Sequence, residues 1–222
     1  GCTEHDVIVA YRLYSALRNV VLRHSLTALT VRCFDIIDAL GTTGCLALSL
    51  LNDEGIIAGC EGDLQAILTL VLSRAVTGKT GFMANPSHIS VRSNEVLFAH
   101  CTVGTCLTKT ENEKRSVLLS PHFESGKGVA IEGQLHEGDA CILRANVNKF
   151  FLSPARVCEN ASRCDCCRTQ IKVRLEGNQS VKYFLTKTLG NHHIILWDAN
   201  EEDLKFFFKI FVCEQVIVKS DS

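Results

Sequence analysis

The sequence predicts an α/β protein in two parts. A parallel α/β sheet portion over residues 1–105 is followed by a mostly antiparallel β-barrel over residues 106–222 with one late helix. Three observations lead there. Helix-like and strand-like segments alternate through the first hundred residues, as they do in strand–helix–strand units. Beyond a polar stretch at 104–115 the hydrophobic period falls to two. Gly, Asp and Asn turns separate the later segments, which suits antiparallel pairing.

Residues 7–23 read as helix, because Val9, Leu13, Ala16, Leu17, Val20 and Val21 recur at helical spacing. Residues 29–33 read as a strand. Residues 42–51 read as a buried helix, with Thr42 or Thr43 as its cap and Gly55 as its stop. Residues 56–59 form a short buried strand, and 63–76 a helix ended by Gly78. Residues 96–99 are a further short strand of the same sheet. In the second part, Cys167, Thr169, Ile171, Val173 and Leu175 share one face of a strand, while Arg168, Gln170, Lys172 and Arg174 share the other. Residues 116–119, 128–135 and 140–145 have similar character. A helix over 201–211 precedes a last strand at 215–219.

The chain has 222 residues, 46% of them apolar and 21% charged, and a net charge of -1. That length supports one large or two small cores. The charge balance gives no electrostatic reason to expect nucleic acid or an anionic membrane as partner. No apolar run approaches the roughly 20 residues that span a bilayer, and no signal-peptide pattern opens the chain. Twelve cysteines are spread along it, several within apolar runs, where a free thiol packs as a small hydrophobe. Mostly unpaired thiols and a cytoplasmic location are expected.

Three places gather side chains able to do chemistry. In Ala58-Gly59-Cys60-Glu61-Gly62-Asp63, two carboxylates lie in the turn from a buried strand to a helix. Ligands of open α/β sheets bind beyond such strand ends, although Asp63 alone also reads as a helix cap. His100 stands at the exit of the strand over 96–99, where a satisfied structural histidine is the commoner case. Gly190-Asn191-His192-His193 precedes an apolar strand, on which adjacent residues point to opposite faces. Together these residues offer carboxylate oxygens and imidazole nitrogens, a donor mix suited to Mn²⁺, Co²⁺ or a similar divalent ion. Cys158, Cys164, Cys166 and Cys167 form a fourth cluster, poorly spaced for a zinc site. A phosphate loop, an esterase elbow and basic–aromatic interleaving are all absent.

The same motifs carry a family likeness. Ala58-Gly59-Cys60-Glu61-Gly62-Asp63-Leu64 resembles the Gly-Glu-Gly-Asp segment of L-arabinose isomerases and the Glu-x-Asp segment of L-fucose isomerases. Val96-Leu97-Phe98-Ala99-His100-Cys101 is similar to the arabinose isomerase segment ending Gly-Ala/Ser-His-Met. Gly190-Asn191-His192-His193 resembles the Gly-Asn-His of the fucose enzymes and the Ala-His-His of the arabinose enzymes. Thr30-Val31-Arg32-Cys33-Phe34-Asp35 and Cys167-Arg168-Thr169-Gln170 further resemble a microbial fucose isomerase-like branch.

The resemblance implies a metal-dependent aldose–ketose isomerase acting on L-fucose, L-arabinose or a related sugar. It implies Glu61, Asp63, His100 and His192 as metal ligands, with Glu61 and Asp63 also catalytic. Asn191 and His193 would meet the substrate, and Mn²⁺ or a similar ion would be the cofactor. The further catalytic Glu of arabinose isomerases lies in Phe-Met-Glu-Asp, which stands here as Phe82-Met83-Ala84-Asn85; fucose isomerases instead use a Glu from the preceding strand region, for which Asp35 is the nearest candidate. The likeness also implies that this is the C-terminal portion of a longer chain and that a homo-oligomer forms. The missing carboxylate keeps a second reading open, a non-catalytic relative that binds a sugar or a metal.

Overall fold

A six-stranded antiparallel barrel forms the centre of the computed structural model, which describes residues 1–111, 114–212 and 214–219. Ahead of the barrel stands a small helical layer. Helix α1 (Glu4–His24) begins in a capping box: the Thr3 hydroxyl accepts the Asp6 N–H, and the Asp6 carboxylate accepts the Thr3 N–H. Strand β1 (Ala28–Thr30) is followed by α2 (Cys33–Leu40), α3 (Cys45–Asp53), β2 (Ile57–Gly59) and α4 (Leu64–Thr77). The strand expected over 29–33 therefore stops at Thr30. Cys33 and Ile37, four residues apart and both buried, instead give α2 one apolar stripe.

The barrel begins with β3 (Phe82–Ser90) and β4 (Glu95–His100). Short pairs follow, β5 (Thr110–Glu111) with β6 (Lys114–Arg115) and β7 (Val117–Ser120) with β8 (Ala130–Gly133). The barrel resumes with β9 (Gly138–Ala145), β10 (Lys149–Asn160) and β11 (Thr169–Leu175). After α5 (Lys182–Thr186) come β12 (His193–Trp197), the late helix α6 (Glu201–Phe211) and β13 (Glu214–Gln215). The strand order β11-β4-β3-β12-β9-β10 closes through the β10–β11 pairing, and β13 adds to β10 in parallel.

The fold is α/β with an antiparallel barrel, as expected, but the parallel sheet is smaller than expected. It holds β1 and β2 alone. The strand read over 96–99 pairs antiparallel with β3 and β11 inside the barrel, so both parts of the chain supply barrel strands. The expected last strand at 215–219 pairs only through β13. Neither β3 nor β10 was legible as a strand, and each carries a proline. Proline removes a ladder donor and is found at irregular positions. Pro86 adjoins a register shift in the β3–β4 pair, and Pro154 stands one residue before β11 joins the ladder at Ala155.

Alternation splits the strands between two cores. Phe98, Ile142, Phe151, Ile171 and Ile195 fill the barrel. Leu143, Phe150 and Ile194 face outward, where Ile67 and Leu70 of α4 and Leu204 and Phe208 of α6 cover them. A third cluster joins Val21 of α1, Leu48 and Leu51 of α3, and Ala58 of β2. Cys33 and Cys60 form a disulfide, one exception to the mostly unpaired thiols expected; Cys2, Cys45, Cys101, Cys141, Cys158, Cys164, Cys166 and Cys167 are in no disulfide. No described helix is long and apolar enough to cross a membrane.

Candidate metal centre

The turn from β2 into α4 meets the end of β4 and the start of β12. Glu61 has φ 60° and Gly62 φ 67°. A side chain with a Cβ is disfavoured in this left-handed region, so the surroundings must hold Glu61 there. Gly62 N–H donates to Val31 O at 3.0 Å, and the disulfide ties Cys60 to the start of α2.

Asp63 caps α4, as its sequence position suggested: Oδ1 accepts the Ala66 N–H at 2.9 Å. Arg144, buried at the end of β9, forks the same carboxylate. Its Nη1 donates to Oδ2 at 2.9 Å and its Nη2 to Oδ1 at 3.1 Å, while Nη1 also donates to His192 O. His192 Nδ1 lies 3.0 Å from Asp63 Oδ2. Burial raises the Asp63 carboxyl, but hydrogen bonds from His192 and Arg144 outweigh it and hold it well below the usual carboxylate range.

Donation from Nδ1 to Asp63 leaves the His192 Nε2 lone pair on the opposite side of the ring. That Nε2 is buried, has no hydrogen-bond partner among the described residues, and lies 3.6 Å from a Glu61 carboxylate oxygen. The His100 ring stands edge-on to His192, with centroids 5.2 Å apart. Glu61, His100 and His192 each bring a ligand atom within 4.8 Å of the others'. His100 Nδ1 is 3.2 Å from Thr102 O and 3.1 Å from the Thr102 N–H; the tautomer donating to the carbonyl is the one that leaves Nε2 free to ligate.

The electrostatics also suit a cation. Burial lowers the proton affinity of His192, yet Asp63 and Glu61 more than offset it and raise its pKa. The two carboxylates that draw a proton to this ring would equally draw a metal ion. His100 faces less negative charge, and burial pushes its pKa down to about 4, keeping the neutral ring that a metal needs. A buried imidazole nitrogen without a partner, beside a carboxylate and a second imidazole, fits a divalent first-row ion. In this arrangement Glu61, His100 and His192 could hold such an ion, and Asp63, expected as a ligand, instead stands behind His192 and orients it.

The remaining expected site residues lie elsewhere. Asp35 pairs with Arg32 at 3.0 Å on an exposed turn of α2. Asn191 is exposed, and its carbonyl accepts the His193 Nδ1–H. His193 is fully buried, its Nε2 bonded to the Tyr183 hydroxyl at 3.0 Å among Phe98, Phe151 and Phe184. Of the clustered cysteines, buried Cys166 lies near His88 and Asp165, and Arg163 forks that aspartate.

Two side chains beside these residues escaped sequence reasoning. Arg144 ends an apolar run, and a charge placed there was its one signal. His122 sits in the loop between β7 and β8. An open cleft of about 400 Å³ runs from Glu61 past Asn85, His122, Phe123 and Cys167.

Gly190 gives a direct check on this arrangement. A Cβ there would come 2.5 Å from Arg144 Nη2, whose guanidinium Asp63 already pins. Gly190→Ala is expected to push Arg144 out of register and cost about 1–3 kcal/mol, as overpacking does. Chemical denaturation would measure the loss, and unchanged stability would mean that Arg144 is not held as described.

No family model matches the chain. It is 32% identical over 132 residues to a protein named sulfoquinovose isomerase from Alkalicoccus urumqiensis, covering 59% of this chain and 29% of that protein. It is 29% identical over 116 residues to the sulfoquinovose isomerase of Clostridium sp. (strain MSTE9), covering 52% and 26%. The protein of the same name from Priestia aryabhattai is 25% identical over 132 residues. The aligned region thus spans under a third of the length of these curated relatives. The similarity is to sugar isomerases, under a different sugar name from the one the sequence motifs suggested.

Proposed function

We propose that this chain carries the metal-binding part of an aldose–ketose isomerase. The observation that carries the reading is the buried, unpartnered His192 Nε2 facing Glu61 and His100. The likeness to proteins named sulfoquinovose isomerase supports it and makes sulfoquinovose the first sugar to test, ahead of L-fucose and L-arabinose. A divalent ion such as Mn²⁺, held by Glu61, His100 and His192, would polarise two neighbouring oxygens of an open-chain sugar and offset the charge that builds on them.

The chain's own residues do the rest. Asp63 fixes the His192 tautomer, and Arg144 fixes Asp63. Phe34 and Phe123 line the cleft beside Glu61 and offer apolar surface to the sugar's C–H faces. Neighbouring subunits or further domains would complete the pocket, as the sequence resemblance implies.

The test uses the intact protein with each of the three sugars, plus and minus Mn²⁺, with metal-dependent turnover expected. Glu61→Gln and His192→Ala should each weaken Mn²⁺ binding in calorimetry by about tenfold or more. Unchanged affinity in both variants would remove the site. One observation favours a second reading, a non-catalytic sugar binder. Asn85 lines the cleft with a buried Oδ1 lacking a partner, where the arabinose pattern has a carboxylate. Sugar binding without turnover would support it.

A further inference from the structure

Isomerisation requires a group that can take a proton from carbon and return it, and the metal centre leaves that position open. Asp63 is held on both oxygens by Ala66, Arg144 and His192, so no oxygen is free to turn toward a substrate. The segment Ala84-Asn85 supplies no carboxylate. Resting on the isomerase reading above, we propose that His122 is the proton-transfer residue of this site.

The geometry points to it in four ways. His122 and Glu61 line both the open cleft and a smaller void of about 20 Å³ that also touches His100. The His122 ring is largely buried, and its Nε2 has no hydrogen-bond partner among the described residues. Its Nδ1 lies 3.2 Å from Ser125 Oγ and 3.4 Å from the Ser125 N–H; the tautomer that donates from Nδ1 to the hydroxyl is the one that leaves Nε2 able to accept a proton. The loop that presents it is anchored: His122 N–H donates to Lys127 O at 3.1 Å, and Arg168 Nε donates to Pro121 O at 2.9 Å. Where the loop returns, the Thr43 hydroxyl donates to Val129 O and accepts its N–H. A base held on so constrained a loop keeps its reach to the substrate. Burial lowers its pKa, which leaves the resting ring neutral and able to accept.

The step balances without an added reagent. His122 Nε2 takes the C2 proton as the C2–H electron pair becomes the C1=C2 bond and the C1=O1 pair moves onto O1. The imidazolium returns the proton to C1, the C1=C2 pair forms the new C1–H bond, and the O2 proton passes to O1 as C2=O2 forms.

The intact protein tests this with His122→Gln and His122→Asn. Both should bind Mn²⁺ as wild type does, retain sugar binding, and lose about 100-fold or more in kcat, the scale of general acid–base catalysis. Turnover in D₂O by wild type should place deuterium at C1 of the ketose, and the variants should lose this exchange together with turnover. Should both variants fail to fold, carbethoxylation of the wild type serves instead. Inactivation should track modification of His122 and be blocked by sugar; complete inactivation with His122 unmodified overturns the proposal. Variants that turn over at near wild-type rate also overturn it, leaving the isomerase reading intact. A wild-type protein that converts no aldose with Mn²⁺ present overturns both.

Discussion

Arg144→Met is expected to destabilise the protein by about 3–5 kcal/mol, the range for removing one partner of a buried ion pair. The Arg144 side chain is 3% exposed and that of Asp63 18%, so water repays little of the loss. In the variant, Asp63 keeps the Ala66 N–H and the His192 ring but loses the charge that faces it. Arg144 also donates to His192 O and to Gln65 Oε1, and these acceptors would lose a partner too. Lysine should not rescue, because a point charge cannot reproduce the two parallel bonds of the fork.

The effect should extend to function. Asp63 orients the His192 ring, and loosening such an outer partner costs about 10–100-fold in metal affinity. Urea denaturation of metal-free protein would read the stability change, and Mn²⁺ titration the affinity. The double variant Arg144→Met with Asp63→Asn should recover part of the stability, since the stranded charge disappears, without recovering affinity. A loss under about 1 kcal/mol, the scale of exposed pairs, would show that the pair is solvated after all.

How much of this was legible in the sequence follows from range in the chain. Periodicity and caps are local, so α1, α4 and α6 were found close to their observed ends, with Asp63 and Gly78 marking α4. Prolines hid β3 and β10, because a missing donor argues against a strand until register shifts and strand ends are known. Alternation showed that His192 and His193 must diverge, but not which one turns inward. The pairing of His193 with Ala84 across β12 and β3 decides that, and it joins residues more than a hundred positions apart. Arg144 and His122 were invisible for the same reason. Their meaning lies in Asp63 and Glu61, which the chain brings near only after the barrel closes.

Acid should unfold the metal-free protein earlier than its carboxylates alone would dictate. Burial holds His193 at a pKa of about 3 and His100 at about 4, against about 6.5 in an unfolded chain. Between those values and 6.5 the unfolded state binds more protons, so stability falls as pH is lowered through that window. At pH 5 each ring contributes about 2 kcal/mol of loss, and His122, also lowered by burial, adds in the same direction. His192 opposes the trend: its pKa is raised, so its contribution is present at low pH and fades as pH rises. Asp63, held low, begins to add its own loss only below about pH 4. Urea midpoints at pH 7.5 and pH 5, taken with chelator present, should therefore differ by several kcal/mol in stability. His193→Gln should flatten the slope by about one proton's worth. A flat profile from pH 7.5 to pH 5 would mean that His100 and His193 titrate as exposed rings do, and the buried arrangement around β12 would then be wrong.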